Sequence, residues 1–142
     1  ARRDAEWALQ SGEARRQWDR IVEAHGGDPD PARLARPVRV IEAVAARDGH
    51  VASIDAESLG WIAVALGAGR RFNGDQVDDG AALQVHVRIG DQVSRGEPLA
   101  TLELGRRAVD GEALAQRAAA AFALQEAPVP PAPLIVATRG GE

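Results

Sequence analysis

The sequence predicts an α+β fold, in which a short helical segment precedes a domain of strands and packed helices. Three observations support this. Apolar residues recur at helical spacing over the first 25 residues. A stretch rich in proline and aspartate, "DPDPARLARP" (28–37), then interrupts the chain. Beyond it, strict alternation in "LQVHVRI" (83–89) is typical of a half-buried strand. We therefore predict a helical segment with linker at 1–36 and an α+β domain at 37–142.

The bulk composition restricts the possible functions. The chain has 142 residues, 45% of them apolar, which suits one domain or one domain with a piece of another. Its net charge of −4 predicts no strong attraction to nucleic acid or to anionic membranes. No apolar run approaches the roughly 20 residues needed to span a bilayer. The absence of cysteine excludes disulfides, thiol nucleophiles and cysteine metal sites, and is compatible with the cytosol.

All seventeen basic residues are arginine. The absence of lysine excludes Schiff-base chemistry, biotinylation and lipoylation. There is no tyrosine and there are only five aromatic side chains, so platforms for stacking nucleic-acid bases are not expected. The chain opens at Ala1, in what is predicted to be mid-helix, so we expect a fragment of a longer protein.

The helical segment is predicted to contain two helices, broken near Ser11 and Gly12. Ser11 is the expected N-cap of the second helix, and Gly26 with Gly27 would end it. The spacing i, i+3, i+4, i+7 predicts one apolar stripe on this helix. The stripe consists of Trp18, Ile21, Val22 and His25.

In the second domain, strands are predicted at 38–46 and 50–54, joined by a turn at Asp48 and Gly49. A helix at 56–66 follows, with Asp55 as N-cap and Gly67 as its stop. Its predicted buried face consists of Leu59, Ile62, Ala63 and Leu66.

The remaining elements are strands at 83–89 and 98–104 and an alanine-rich helix at 110–125. Asp110 is the expected cap of this helix. The segment 127–133 is predicted to be extended and stiff, and "LIVAT" (134–138) to form a last strand.

The loop "LGAGRRFNG" (66–74) combines glycines with two arginines, as phosphate-binding loops do. Such loops, however, precede a helix and use its N-terminal N–H groups, whereas this loop follows a helix. Arg70 and Arg71 are therefore expected to satisfy carbonyls or a nearby carboxylate, with an anion contact as the alternative.

Three aspartates in "DQVDD" (75–79) raise the question of calcium. A calcium loop needs a bidentate Glu at its twelfth position, and counting from Asp75 that position is His86. A solvated turn is the interpretation we favour.

No other group has the spacing of a catalytic or metal site. His25, His50 and His86 lie on three different elements, with His86 on the polar face of its strand. The pair Arg106 and Arg107 is expected to be solvated. Cap or turn roles suit the four serines, Ser11, Ser53, Ser58 and Ser94.

The letters Gly-Asp-Gln-Val and a closing Gly occur twice, in "GDQVDDG" (the first GDQV loop, 74–80) and "GDQVSRG" (the second GDQV loop, 90–96). Gly and Asp favour a tight turn, after which Val would re-enter the core. This order of turn, core valine and turn is similar to that of biotinyl and lipoyl carrier domains, where it recurs in two quasi-symmetric halves. The resemblance implies a barrel-sandwich architecture, while the missing lysine excludes the carrier function.

The order of these motifs resembles the C-terminal part of pyrimidine-nucleoside phosphorylases, the thymidine phosphorylase family. The most specific pieces are the Gly-Gly-Asp-Pro at 26–29, the Leu-Gly-Ala-Gly-Arg at 66–70 and the Gly-Asp-x-Val-x-x-Gly-x-x-Leu at 90–99. The resemblance covers nearly the whole chain.

The resemblance implies a parent transferase of pyrimidine salvage, which cleaves thymidine or uridine with phosphate to the base and a pentose 1-phosphate. In that family the phosphate and base sites lie in parts that no stretch here matches. We therefore assign no catalytic, cofactor-binding or metal-binding residue. Inorganic phosphate is the expected co-substrate of the parent and the N-terminal catalytic domain of the same chain is the expected partner. The expected parent is a cytoplasmic homodimer that binds neither nucleic acid nor membrane.

Two alternatives stay open at this point. One is a free-standing barrel-sandwich module that binds a small ligand or a protein. The other is a domain of a phosphorylase acting on nucleoside monophosphates. If the parent interpretation holds, surfaces facing the catalytic domain should be unusually apolar, with Trp7 and Trp18 as candidates for self-association.

Overall fold

The computed structural model describes residues 1–130, which divide into a first unit, Ala1–Leu34, and a second unit that begins at Ala35. The first unit contains two helices, α1 (Arg2–Gln10) and α2 (Glu13–Ala24), and a 3-10 turn at Pro31–Arg33. The predicted break between the helices is therefore confirmed.

The expected cap of α2 is wrong by one residue. Gly12 occupies the N-cap position, with φ +75°. Because glycine has no side chain, it supplies no oxygen to cap the helix. The Ser11 hydroxyl oxygen accepts the Glu13 N–H at 3.4 Å, which is long for a hydrogen bond.

Neither helix of the first unit has a buried side chain. Trp18 is 59% exposed and Trp7 62%. Of the apolar stripe predicted on α2, Val22 is partly buried, Trp18 and Ile21 are exposed, and His25 is the exposed C-cap just beyond the helix. Surface ion pairs such as Arg16 with Glu13 (2.8 Å) run along the same helix, and such exposed pairs stabilise a helix only slightly.

In its described residues, 35–130, the second unit has six strands and two helices. Their bounds are β1 Arg39–Val44, β2 Gly49–Ile54, α3 Ala56–Leu66, β3 Ala82–Val85, β4 Gln92–Val93, β5 Pro98–Leu104, α4 Gly111–Ala120 and β6 Phe122–Gln125.

The strands form two antiparallel three-stranded sheets, ordered β1-β5-β3 and β4-β2-β6. In the first sheet Leu102 of β5 stands opposite both Ile41 and Leu83, so three apolar side chains share one face. The predicted α+β class is confirmed.

One apolar cluster fills the second unit. Its largest fully buried side chains are Val51, Ile62, Leu66, Leu99 and Leu102, drawn from both sheets and from α3. Helix α3 has the predicted bounds because both ends are specified locally. Asp55 accepts the Ser58 N–H at 3.0 Å, and Gly67 takes the left-handed conformation at the C-cap.

Two predicted elements differ from the structure, and a third is not tested by it. The alanine-rich helix, expected at 110–125, ends at Ala120, because Phe122–Gln125 pair with β2 as strand β6. The strand expected at 83–89 spans only Ala82–Val85, with Val85 41% exposed and Val87 buried. The strand expected at 134–138 lies outside the described residues, as does the end of the segment 127–133.

Across residues 1–130 no helix combines the length and apolarity that a membrane-spanning segment requires.

Candidate functional site

The glycine- and arginine-rich loop after α3 is held by ion pairs within the chain. Arg71 donates from its backbone N and from Nε to one oxygen of Asp75, at 3.2 and 2.9 Å. The Asp75 side chain is only 9% exposed. Hydrogen bonding from the Arg71 guanidinium is the main reason that the pKa of Asp75 falls from 3.8 to about 2. The expectation that Arg71 pairs with a nearby carboxylate is confirmed.

Arg107, in the segment after β5, contacts the same carboxylate. Its Nη2 lies 3.3 Å from Asp75 Oδ1 and 3.0 Å from the Gln76 carbonyl oxygen, to which it donates a hydrogen bond. Its side chain is 22% exposed. The prediction that Arg106 and Arg107 form a solvated pair is therefore wrong for Arg107, although Arg106 is exposed.

Asp78 completes this arrangement. Its two oxygens accept the backbone N–H groups of Arg107 (2.8 Å) and Gly80 (3.2 Å). These bonds, the one from Arg107 foremost, lower the pKa of Asp78. We call Asp75, Asp78 and Arg107 the Arg107 clamp. The solvated turn predicted for "DQVDD" is wrong for Asp75 and Asp78, because both are bound to the segment after β5, whereas the third aspartate, Asp79, is exposed.

Gly105 makes the clamp possible. A Cβ built on Gly105 would overlap the carboxylate of Asp78. Any side chain at this position must therefore displace the aspartate, so the close approach of the two segments requires glycine.

The second GDQV loop is built differently. Asp91 Oδ2 accepts the Arg88 N–H at 2.8 Å, which closes a local turn. Val93 is 2% exposed and lies in β4, opposite Gly49 of β2. The predicted return of Val to the core is confirmed here. In the first loop, by contrast, Val77 is 40% exposed, so the same prediction is wrong there.

Each of the three histidines has its own hydrogen-bond partner. His86 lies just beyond the end of β3 and is exposed, and its Nε2 lies 2.7 Å from Thr101 Oγ1 of β5. His25 and His50 contact the carbonyl oxygens of Ile21 and Glu126. Within residues 1–130 no group of three or more His, Asp or Glu side chains could hold a metal ion.

Sequence reasoning missed the Arg107 clamp because its partners are 29 to 32 residues apart. No local spacing indicates such a pairing. The available signal was indirect: glycine- and aspartate-rich turns lie on either side of the strand pair formed by β3 and β5.

The structure thus defines a small α+β domain. Its described loops whose sequences resemble phosphate-binding or calcium-binding loops are closed by contacts within the chain. Residues 50–123 match the family model described as the pyrimidine nucleoside phosphorylase C-terminal domain. The chain belongs to that family, and the resemblance inferred from its motifs is confirmed.

Individual relatives agree. The chain is 35% identical over 114 residues to a pyrimidine-nucleoside phosphorylase of Geobacillus stearothermophilus, covering 78% of this chain and 26% of that protein. It is 35% identical over 124 residues to a thymidine phosphorylase of Sinorhizobium medicae, covering 84% of this chain and 28% of the relative. For a thymidine phosphorylase of Mycobacterium tuberculosis the identity is 36% over 138 residues, with coverages of 94% and 31%. The chain therefore spans between a quarter and a third of the length of these relatives.

Proposed function

We propose that this chain is the non-catalytic C-terminal domain of a pyrimidine-nucleoside phosphorylase, a pentosyltransferase. The parent would cleave thymidine or uridine with inorganic phosphate, giving the free base and a pentose 1-phosphate. The observation that supports this is the family match over residues 50–123, combined with relatives about three times as long. The catalytic residues would lie in the portion of the parent that these 142 residues do not include.

The role of the domain would be to pack against the catalytic portion and to help fix the geometry of its domain closure. The partner is thus the N-terminal part of the same polypeptide, and inorganic phosphate is the co-substrate of the parent. We further propose that the parent is a homodimer of pyrimidine salvage in the cytoplasm, binding neither nucleic acid nor membrane.

Residues 1–36 are proposed to belong to the end of the catalytic α/β domain, with the C-terminal domain at 37–142. The exposure of the first unit supports this proposal. A 34-residue unit without a buried side chain gains too little apolar burial to offset the conformational entropy of ordering it. The M. tuberculosis alignment covers 94% of the chain, so it includes most of this unit.

A barrel-sandwich arrangement of the second unit is proposed as well. Two antiparallel three-stranded sheets that share one apolar core are compatible with it. The second GDQV loop, which returns Val93 to that core between two turns, resembles the corresponding segment of carrier domains.

A chimaera tests the proposed function. Replacing the matched segment of the Geobacillus enzyme by this chain should preserve phosphorolysis of thymidine and uridine, measured by release of the free base. The 142-residue chain alone should give no turnover, and turnover by the chain alone would overturn the non-catalytic assignment.

The control chimaera carries Gly105→Val, which prevents closure of the Arg107 clamp. It should lose activity through instability, visible as a lowered Tm. If the unmodified chimaera folds, with a cooperative Tm, and yet is inactive on both nucleosides, the proposal is wrong.

The exposed indoles give a further prediction about the isolated chain. Trp7 and Trp18 are each more than half exposed, so we expect reversible self-association through the first unit. Light scattering at increasing concentration measures it, and Trp7→Ser with Trp18→Ser should abolish it. Trp61→Ser is the matched control, because Trp61 is equally exposed at 60% but lies on α3 of the second unit. A strict monomer at high concentration contradicts the prediction.

A further inference from the structure

A polar cleft of about 520 Å³ lies beside the first GDQV loop, within the second unit. Three arginines line it, Arg36 before β1 and Arg106 and Arg107 after β5, together with two aspartates of the loop. We propose that this cleft binds a phosphate dianion, either free inorganic phosphate or the phosphate of a small phosphomonoester.

Two of the arginines are free to bind a ligand. Arg36 and Arg106 are exposed, and within residues 1–130 neither side chain forms an ion pair or a hydrogen bond. They come from segments 70 residues apart in the sequence but line the same cleft. A planar guanidinium donates two parallel hydrogen bonds to phosphate oxygens, so two of them can hold one anion from two directions.

The third arginine adds an unused donor. Arg107 Nη2 is occupied by Asp75 and Gln76, whereas Nη1 is buried and has no acceptor in the described part of the chain. A buried donor without a partner is rare in native proteins. Because Nη1 has almost no solvent-accessible surface, an anion in the cleft would reach it only after the Arg107 side chain shifts.

The two aspartates of the lining keep their negative charge, but within residues 1–130 neither forms an ion pair with Arg36 or Arg106. Asp78 is already committed to the N–H groups of Arg107 and Gly80. Asp79 is exposed and is the one carboxylate of the lining that no described contact occupies. Arg107 is paired with Asp75, so the positive charges that remain for an anion are those of Arg36 and Arg106, which have no ion-pair partner among residues 1–130. Asp79 and the exposed Gln76 can also accept hydroxyl hydrogens, as the sugar of a phosphomonoester would require.

The binding experiment uses the isotopically labelled 142-residue chain and amide chemical shifts. Separate titrations with inorganic phosphate, ribose 5-phosphate, ribose and sodium chloride at matched ionic strength distinguish the ligand classes. We expect saturable shifts at Arg36, Gly80 and Arg107 with the two phosphates only. Tighter binding of ribose 5-phosphate by about tenfold would assign a phosphomonoester, and equal binding would assign free phosphate. Absence of saturation by about 20 mM of either, or equal shifts with chloride, would overturn the proposal.

Single variants test the residues. Arg36→Gln and Arg106→Gln should each weaken phosphate binding by about tenfold or more, because each removes charge-assisted hydrogen bonds. Neither side chain has described contacts within the fold, so the amide spectrum should otherwise be unchanged. The matched control is Arg88→Gln, another exposed arginine without a described ion pair, which should bind phosphate as the unmodified chain does. If Arg88→Gln weakens binding equally, the effect is one of general charge and the proposal fails. No step of this test depends on phosphorylase activity, so it stands or fails independently of the proposed function.

Discussion

The two GDQV loops begin with the same backbone and end with different roles. Gly74 and Gly90 both take positive φ, +93° and +98°. After the shared turn, the second loop sends Val93 into the core and adds a short strand to β2. The first loop leaves Val77 exposed and binds Asp75 and Asp78 to Arg107 instead.

The comparison shows that the repeated sequence specifies a turn but does not specify the contacts that follow the turn. The segment that packs against each loop determines whether the valine or the aspartates stabilise it. The second loop faces β2, which offers backbone pairing and an apolar core. The first loop faces the segment after β5, which offers an arginine and a glycine without a side chain.

The largest effect should come from Gly105→Ala. One methyl group would displace Asp78, so overpacking and lost hydrogen bonds combine to lower the free energy of unfolding by about 3 kcal/mol. Chemical denaturation measures this. Gly60→Ala is the control: it lies inside α3 with open space around its Cβ, and should stabilise by about 0.5 to 1 kcal/mol. Equal responses of the two variants would show that the first loop does not depend on the clamp.

The corresponding valines of the two loops should contribute very differently to the free energy of unfolding. Val93→Ala removes two buried methyl groups and should cost about 2 kcal/mol of unfolding free energy. Val77→Ala, at 40% exposure, should change it by less than about 0.5 kcal/mol. Measured by the same denaturation experiment, a cost for Val77 that matches that for Val93 would contradict the proposed difference between the loops.

The smallest effect is the acid sensitivity of the first loop. Asp75 has a folded pKa of about 2, below its ordinary value of 3.8, so its stabilisation is complete above pH 3.8 and is lost as the pH falls toward 2. Asp75→Asn should flatten the stability profile in that window. Arg71→Gln should flatten it in the same way, because Arg71 is the main cause of the lowered pKa, and the double variant should add little.

A carboxyl titration by NMR checks this directly. The Asp75 midpoint should lie near pH 2 in the unmodified chain and should rise in Arg71→Gln. A midpoint at 3.8 or above in the unmodified chain would show that the pair does not form in solution.

Much of the fold could be predicted because its signals are local. Helix α3 and strand β5 have the predicted bounds, and Asp55 and Asp110 both accept the N–H groups that N-caps should accept. The predictions that failed concern segments whose structure depends on partners distant in the sequence. The segment Phe122–Gln125 continues an alanine-rich helical pattern, but pairing with β2, about 70 residues earlier, makes it a strand.

The candidate site was less predictable than the fold. The sequence correctly indicated that the loop after α3 is closed by arginine and carboxylate, because it lies at the wrong end of a helix for an anion. It could not indicate that Arg107 is the second partner, or that Arg36 reaches the same cleft, since both depend on how the sheet brings separate segments together.

The Arg107 clamp also has a consequence for the order of folding. Asp75 and Arg107 are 32 residues apart, a long loop to close from a disordered chain. Pairing of β3 with β5, such as Leu83 with Leu102, brings the same segments together first, so the clamp then closes at little further entropic cost. The clamp should therefore form after the sheet and open before it, and the Arg107 and Gly80 amides should exchange with solvent faster than those of β5.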